Sequence, residues 1–127
     1  MDKQRVPSPY GTSFCDSLSF SGPGRWIYIS GQIGADENGE MVNATFVAEA
    51  DQCFKRIAQS LEWAGASMSD VVKITGYVTS TDHYADYDAA RGRAFEGSPP
   101  SSATVQVAGL VADARLEVEA VAFVPES

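Results

Sequence analysis

Hydrophobic residues recur at two different spacings along this chain, and the wider spacing predicts a long helix. Residues 43–64 carry apolar side chains at three- and four-residue steps, which form one stripe on a helix. The members of the stripe are Phe46, Ala50, Phe54, Ile57, Leu61 and Ala64. Asn43 is a candidate N-cap and Gly65 a candidate stop, so the segment predicts an amphipathic helix with one buried face.

Segments rich in strand-forming residues lie on both sides of that helix. β-Branched and aromatic residues predict strands over Arg25–Ser30, Val71–Thr79, Ala103–Ala108 and Arg115–Phe123. Residues Phe14–Phe20 are a further candidate, which could pair with the first of these strands as a hairpin. A second helix is predicted over Tyr84–Phe95, between the N-cap candidate Asp82 and the turn at residues 98–100.

The order of these elements predicts an α+β fold. The elements run strand, strand, helix, strand, helix, strand, strand, and no repeat or linker interrupts them. With 127 residues, the chain has the size of one domain, residues 1–127. The two helices are expected to cover one face of a mixed sheet.

The last predicted strand gives the other face of the sheet a mixed character. Alternation points Leu116, Val118, Ala120 and Ala122 one way, and Glu117, Glu119, Val121 and Phe123 the other way. Carboxylates beside large apolar side chains suit a contact between subunits better than bulk water. This face is therefore predicted to be a subunit interface.

Composition and charge exclude several classes of partner. The chain carries 9 basic and 17 acidic residues, a net charge of −8, and the basic residues form no run. A phosphate backbone would be repelled, so no nucleic-acid partner is expected. No apolar run reaches the length of a membrane span, and Met1–Pro9 has no signal-peptide core. These features favour a cytoplasmic protein without a membrane partner.

Metal and nucleophile chemistry have little support in the sequence. The single histidine, His83, stands at a predicted helix start, where an exposed position is expected. Cys15 and Cys53 lack the spacing of a zinc site, so no metal and no cofactor is predicted. Cys53 is expected to pack in the core, while the role of Cys15 stays open. One histidine also gives little basis for a Ser/His/Asp triad.

Several segments, taken in order, resemble the RidA/YjgF family. They are SGQIG at residues 30–34, WAGA at 63–66, DVVK at 70–73, YADY at 84–87, PP at 99–100, VQV at 105–107 and LEVEAVA at 116–122. The resemblance implies a chorismate-mutase-like α+β fold and a homotrimer with a barrel-like core and ligand clefts between neighbouring subunits. It also implies hydrolysis of small 2-imino or 2-enamino acids to 2-keto acids and ammonia.

One position departs from this family in a way that changes the expected substrate. Deaminating members clamp the substrate carboxylate with an arginine at the position of Ser102. A serine hydroxyl is neutral, whereas a charged hydrogen bond contributes about 1.5–3 kcal/mol. Ordinary 2-imino acid specificity is therefore not expected. Arg25, Arg91 and Arg93 are candidates to replace the arginine, and each is interpreted as a surface charge.

The other candidate site residues follow from the same resemblance. Glu117 aligns with the family's water-placing carboxylate, and it is either a general acid or base or a structural carboxylate at the interface. The candidate substrate-binding residues are Ser102, Thr104, Ser30, Gly31, Phe14, Asp88 and Glu119, with Tyr10 as an alternative to Phe14. Thr104, Asp88 and Phe14 stand where the family commonly has Cys, Asn and Tyr. For these residues, packing or capping is an equally good interpretation.

Three functions stay open on the sequence. The first is hydrolysis or tautomerisation of a small imine or enamine without the usual carboxylate, in which Ser102 and Thr104 bind a neutral carbonyl or hydroxyl group. The second is a non-catalytic trimer that binds a small metabolite or a partner protein. The third is RNA cleavage, against which the net charge of −8 argues.

Overall fold

Six strands and two helices make up the computed structural model, which describes residues 3–126. The strands are β1 (Lys3–Pro7), β2 (Cys15–Phe20), β3 (Gly24–Gln32), β4 (Val71–Val78), β5 (Ser101–Gln106) and β6 (Leu116–Pro125). The helices are α1 (Phe46–Trp63) and α2 (Tyr84–Ala94). The strands form one mixed sheet in the order β1-β2-β5-β4-β6-β3. The predicted α+β class is confirmed.

The N-terminal hairpin is the largest difference from the predicted elements. β2 pairs antiparallel with β1 and meets β5 in parallel, so the predicted hairpin between β2 and β3 is wrong. β3 instead pairs with β6, from Gly24 opposite Pro125 to Gln32 opposite Val118. β1 contains a single β-branched residue, Val6, and is mostly exposed, which is why the hydrophobic pattern did not predict it.

The first helix begins two residues later than predicted. Thr45 Oγ1 accepts a hydrogen bond from the backbone N–H of Ala48 at 3.0 Å, so Thr45 rather than Asn43 is the N-cap. Gly65 ends the helix as predicted, because its φ of +77° is a conformation that side chains disfavour. Within residues 3–126, no helix is long and apolar enough to cross a bilayer.

A short 3-10 turn precedes the second helix, and the residue that caps the start of this segment lies before the turn. Ser80 Oγ accepts from the backbone N–H of Asp82 at 3.1 Å and caps the 3-10 turn Thr81–His83. Asp82 is therefore not the N-cap that was predicted. His83 is half-buried rather than exposed, because its ring stacks on Phe46 with centroids 4.3 Å apart.

Both helices cover the same face of the sheet. On β6, Leu116, Val118, Ala120 and Ala122 are at most 3% exposed and belong to the core that α1 and α2 complete. Burial of these apolar side chains supplies the main favourable term for folding. The predicted inward side of the last strand is confirmed.

Phe123, on the outward side of β6, is covered by its own chain. Its ring stacks on Phe20 at 4.3 Å and meets Trp26 edge-on at 5.0 Å between centroids. Phe123 is therefore only 6% exposed, and its interpretation as an interface residue is wrong. The β1–β2 hairpin, which the sequence pattern missed, supplies Phe20.

Cys53 belongs to the core, as predicted. Its side chain is fully buried, and its thiol donates to the carbonyl oxygen of Gln32 at 2.8 Å. Burial raises the pKa of the Cys53 thiol to about 12, which makes it unreactive at neutral pH. Cys15 is also buried and free.

An ion pair with a buried carboxylate and a half-buried arginine fixes the start of β6 against α1. Glu49 is 1% exposed and accepts from the backbone N–H and from Nε of Arg115, both at 2.7 Å. Arg115 also donates from Nη2 to the carbonyl oxygen of Asn43 at 2.9 Å. These bonds place the residues that follow Arg115, including Glu117, in a fixed register.

We expect Gly76→Ala to lower the free energy of unfolding by about 1–3 kcal/mol, because overpacking costs that much. A Cβ at Gly76 would overlap the hydroxyl of Tyr87, which is fully buried and has no hydrogen-bond partner among residues 3–126. Urea denaturation at fixed protein concentration measures the loss. Adding Tyr87→Phe removes the overlapping oxygen and should restore part of the stability. A Gly76→Ala protein as stable as the parent would contradict this packing.

Candidate functional site

A buried guanidinium is the centre of the first polar group of residues. Arg91 on α2 is 1% exposed, so its interpretation as a surface charge is wrong. Its Nε donates to Ser13 Oγ at 2.9 Å, and its Nη1 donates to Ser102 Oγ at 2.8 Å. Its Nη2 donates to Tyr84 Oη at 3.0 Å and to Asp88 Oδ1 at 3.1 Å. The Arg91 group, as we define it, consists of Ser13, Phe14, Tyr84, Asp88, Arg91, Ser102 and Thr104.

Helix and strand periodicity bring this group together. On α2, Tyr84, Asp88 and Arg91 follow one another at steps of four and three residues and therefore share one face. On β5, Ser102 and Thr104 lie opposite core-facing positions of β4, so they point to the helix side. The side chain of Arg91 extends from α2 to β5, where it also contacts Thr104 Oγ1 at 3.5 Å.

Aromatic rings enclose the guanidinium. The ring centroid of Phe14 lies 4.6 Å from the guanidinium carbon of Arg91, and the centroids of Tyr87 and Tyr84 lie 5.1 and 5.7 Å away. Each distance allows a cation–π attraction. The charge is thus held by ring faces as well as by hydrogen bonds, which explains why it tolerates burial.

Asp88 balances the charge of Arg91. Ser13 Oγ accepts from Arg91 and donates its own hydrogen to Asp88 Oδ1 at 2.6 Å. The hydrogen bond from Ser13 and the neighbouring guanidinium of Arg91 hold the pKa of Asp88 below its ordinary value. Asp88 therefore stays ionised, and the group has little net charge.

A carboxylate beside a strand irregularity is the centre of the second polar group. β3 shifts its register against β6 between Ile29 and Gln32, so Ser30 and Gly31 form a bulge. The carboxylate of Glu117 lies over the backbone of Gly31, where any Cβ would overlap it. The Glu117 group, as we define it, consists of Ser30, Gly31, Tyr77, Glu117 and Glu119.

Glu119 shares the outward face of β6 with Glu117, as strand alternation predicted. Tyr77 Oη donates to Glu119 Oε1 at 2.5 Å, and this bond raises the pKa of Tyr77. Beside Glu119 an open depression of about 330 Å³ extends along the outer face. Its lining includes Tyr28, Ser30, Lys73, Thr75, Glu119 and Val121. This surface can take a small molecule or a second protein chain.

The two groups lie on opposite faces of the sheet. Thr104 on β5 is the register partner of Gly76 on β4, and Gly76 is the register partner of Val118 on β6. Val118 points to the helices, so all three residues lie on the helix face. Glu117, the neighbour of Val118, therefore points to the outer face. β4 separates β5 from β6, which adds about 10 Å of lateral distance at the usual strand spacing. Within one copy of the chain, Glu117 cannot meet Thr104.

The structure thus divides the predicted site residues into two sets. Ser102, Thr104, Asp88 and Phe14 come together around Arg91. Glu117, Glu119, Ser30 and Gly31 lie on the outer face. Tyr10, the alternative to Phe14, is 85% exposed.

The other two candidate arginines are surface charges, as predicted. Arg25 is exposed and donates to the carbonyl oxygen of Gly65 at 3.1 Å. Arg93 is 52% exposed at its side chain and pairs with Asp51 at 2.8 Å. Neither extends the Arg91 group.

Sequence reasoning missed Ser13 and Tyr84, and it placed the candidate Arg91 on the surface. A signal existed on α2, because Tyr84, Asp88 and Arg91 carry polar atoms along a single helix face. Tyr87 is fully buried, and Arg91 follows it by four residues on the same helix face, whereas Arg93 does not. This difference would have identified Arg91 as the buried arginine. Ser13 gave no such signal, because it lies in a loop.

Metal ligands do not gather in either group. Across residues 3–126, no set of three or more His, Cys, Asp or Glu side chains is arranged to hold a metal ion. The available chemistry is that of a carboxylate on the outer face and of hydroxyl groups around a buried cation.

A mixed six-stranded sheet, with two helices on one face and a polar group of residues on each face, defines an α+β protein. The sequence profile of the endoribonuclease L-PSP family matches residues 16–124. The chain therefore belongs to this family, which includes the RidA/YjgF proteins, and the resemblance seen in the sequence is confirmed.

Individual relatives agree with this assignment. A 2-iminobutanoate/2-iminopropanoate deaminase from Mus musculus is 37% identical over 77% of this chain and 73% of its own length. A RutC family protein from Pyrococcus abyssi is 35% identical over 94% of this chain and 92% of its own length. A Rid family protein of unknown function from Yersinia pestis superposes with a TM-score of 0.85 at 25% identity, covering 98% and 100% of the two chains.

We expect Asp88→Asn to make stability less sensitive to acid. The pKa of Asp88 is lower in the folded chain than its ordinary value of 3.8, so its charge stabilises the fold at higher pH. That contribution is lost as the pH falls through the lowered folded value. Urea denaturation at neutral and acidic pH measures the free energy of unfolding. Between the two pH values this free energy should fall less for Asp88→Asn than for the parent. The exposed Asp16→Asn is the control, and an unchanged acid dependence in Asp88→Asn would rule out this role.

Proposed function

We propose that this protein hydrolyses the C=N bond of a small imine, or of the imine tautomer of an enamine, in clefts between the subunits of a homotrimer. The observation that carries the proposal is the placement of Glu117 over Gly31 on one face and of Ser102 and Thr104 on the other. A site that uses both groups must take them from two copies of the chain. Deaminase activity is named for relatives of similar length.

Glu117 would act on water. As the water oxygen bonds to the imine carbon, the carboxylate removes a proton from the water, and the C=N electron pair moves to nitrogen. That proton passes to nitrogen and gives a carbinolamine. Glu117 then transfers the hydroxyl proton of the carbinolamine to nitrogen as the C=O bond forms and the C–N bond breaks, and the products are a carbonyl compound and ammonia. Ser102 and Thr104 of the neighbouring copy would hold the substrate, with no metal or cofactor required.

The exposed outer face supports assembly. Tyr28 is 76% exposed and Trp26 is 52% exposed on β3, beside the depression that contains Val121. Large apolar side chains of this kind are common at protein interfaces. These side chains favour a second copy of the chain as the cover of this face.

A second candidate function is binding of a metabolite without catalysis. It is favoured by Arg91, which is buried and bonded within its own chain and so is not placed as an open substrate clamp. RNA cleavage, which the name of the family profile suggests, is opposed by the net charge of −8.

We expect Glu117→Gln to reduce imine hydrolysis by about 100-fold or more, which is the usual contribution of a positioned acid or base. Imines without a carboxylate are generated in situ by an amine oxidase acting on small primary amines, and 2-imino acids by an amino-acid oxidase. The disappearance of each imine is followed with semicarbazide. The exposed Glu62→Gln on α1 is the matched control and should keep full activity.

Gly31→Ala supplies an independent test of the same carboxylate. The added methyl group would displace Glu117 without removing its charge, so activity should fall although the protein stays folded by circular dichroism. Parent protein without turnover on any imine, or full turnover in Glu117→Gln, would refute the catalytic function. Sedimentation showing a monomer at assay concentration would refute the shared cleft.

A further inference from the structure

The N–H groups of the Arg91 guanidinium all donate hydrogen bonds within its own chain. Arginine has five N–H donors. Arg91 makes five hydrogen bonds, to Ser13, Ser102, Thr104, Tyr84 and Asp88, and the longest, to Thr104, is 3.5 Å. A ligand that needed two N–H groups of this arginine would have to displace two of these partners.

Asp88 disfavours the binding of a carboxylate ligand near Arg91. It pairs with Arg91 at 3.1 Å and its side chain is 45% exposed, so it presents negative charge where Arg91 is hidden. An incoming anion would meet the exposed carboxylate of Asp88 before the buried cation. The electrostatic preference of this group is therefore for an uncharged ligand.

The hydroxyl groups of Ser102 and Thr104 have a defined polarity. Each oxygen accepts from Arg91, so the hydrogen of each hydroxyl points away from the guanidinium. A hydroxyl that accepts from a cation is also a stronger donor, because the two bonds polarise each other. Both side chains are partly exposed, so they can donate to a ligand oxygen.

From this geometry we infer that the cleft selects a ligand with an uncharged carbonyl group, as in an amide or ester. In this ligand the carbonyl group takes the position that the carboxylate has in a 2-imino acid. Ser102 and Thr104 donate to that oxygen, and Arg91 is a positioning residue that orients and polarises them. The inference rests on the proposed function for the reacting C=N group, but the preference for a neutral ligand can be measured without turnover.

Pyruvamide and pyruvate are a suitable probe pair, because they differ only by an amide in place of the carboxylate. We expect NMR titration of the full-length protein to show that pyruvamide binds at least about tenfold more tightly, equivalent to 1.4 kcal/mol. Shifts should centre on β5 and α2. Equal affinity, tighter binding of pyruvate, or no binding of pyruvamide would overturn the inference.

Variants of the two hydroxyl residues test the donors directly. Ser102→Ala and Thr104→Val should each weaken pyruvamide binding by about 2- to 10-fold, the usual range for one neutral hydrogen bond. Thr104→Ser retains the hydroxyl and should keep the affinity. Ser19→Ala, an exposed residue on β2, is the control and should bind as the parent does. Unchanged binding in both Ser102→Ala and Thr104→Val would contradict the inference.

The outcomes separate this inference from the proposed catalysis. Selective binding of pyruvamide together with no imine hydrolysis would leave the ligand preference intact and refute the enzyme function alone. Rapid hydrolysis of free 2-imino acids, with pyruvate as the better ligand, would support the enzyme function and refute the neutral-ligand inference.

Discussion

Burial of one positive charge organises the helix side of this protein. Arg91 can be 1% exposed because its five N–H groups meet oxygen atoms and aromatic rings surround its plane. Those partners come from the loop before β2, from α2 and from β5, so the interaction links three parts of the chain. The same bonds fix the orientations of Ser102, Thr104 and Asp88.

One network joins Ser102 to the charged residues of α2. Ser102 is neutral, yet a guanidinium lies beside it because Arg91 extends from α2. Asp88 supplies the counter-charge, and Ser13 connects the two. A buried positive charge therefore lies next to position 102, which the identity of the residue at that position does not reveal.

The sheet imposes the second constraint, because alternate residues of a strand must face opposite ways. Glu117 lies on the outer face, and its carboxylate fits against β3 because Gly31 has no side chain. The ion pair between Glu49 and Arg115 holds the beginning of β6 in register for this contact. The fold therefore holds two separate polar groups on opposite faces of the sheet, which cannot meet within one copy of the chain.

Local pattern in the sequence determined the two helices, five of the six strands and the inward and outward sides of β6, because these follow from periodicity along a single element. Tertiary structure alone decided the burial of Arg91, the cover over Phe123 and the pairing of β2 with β1. Each of these depends on residues distant in sequence, and the free energy of a buried charge or ring is set by neighbours that no local pattern specifies.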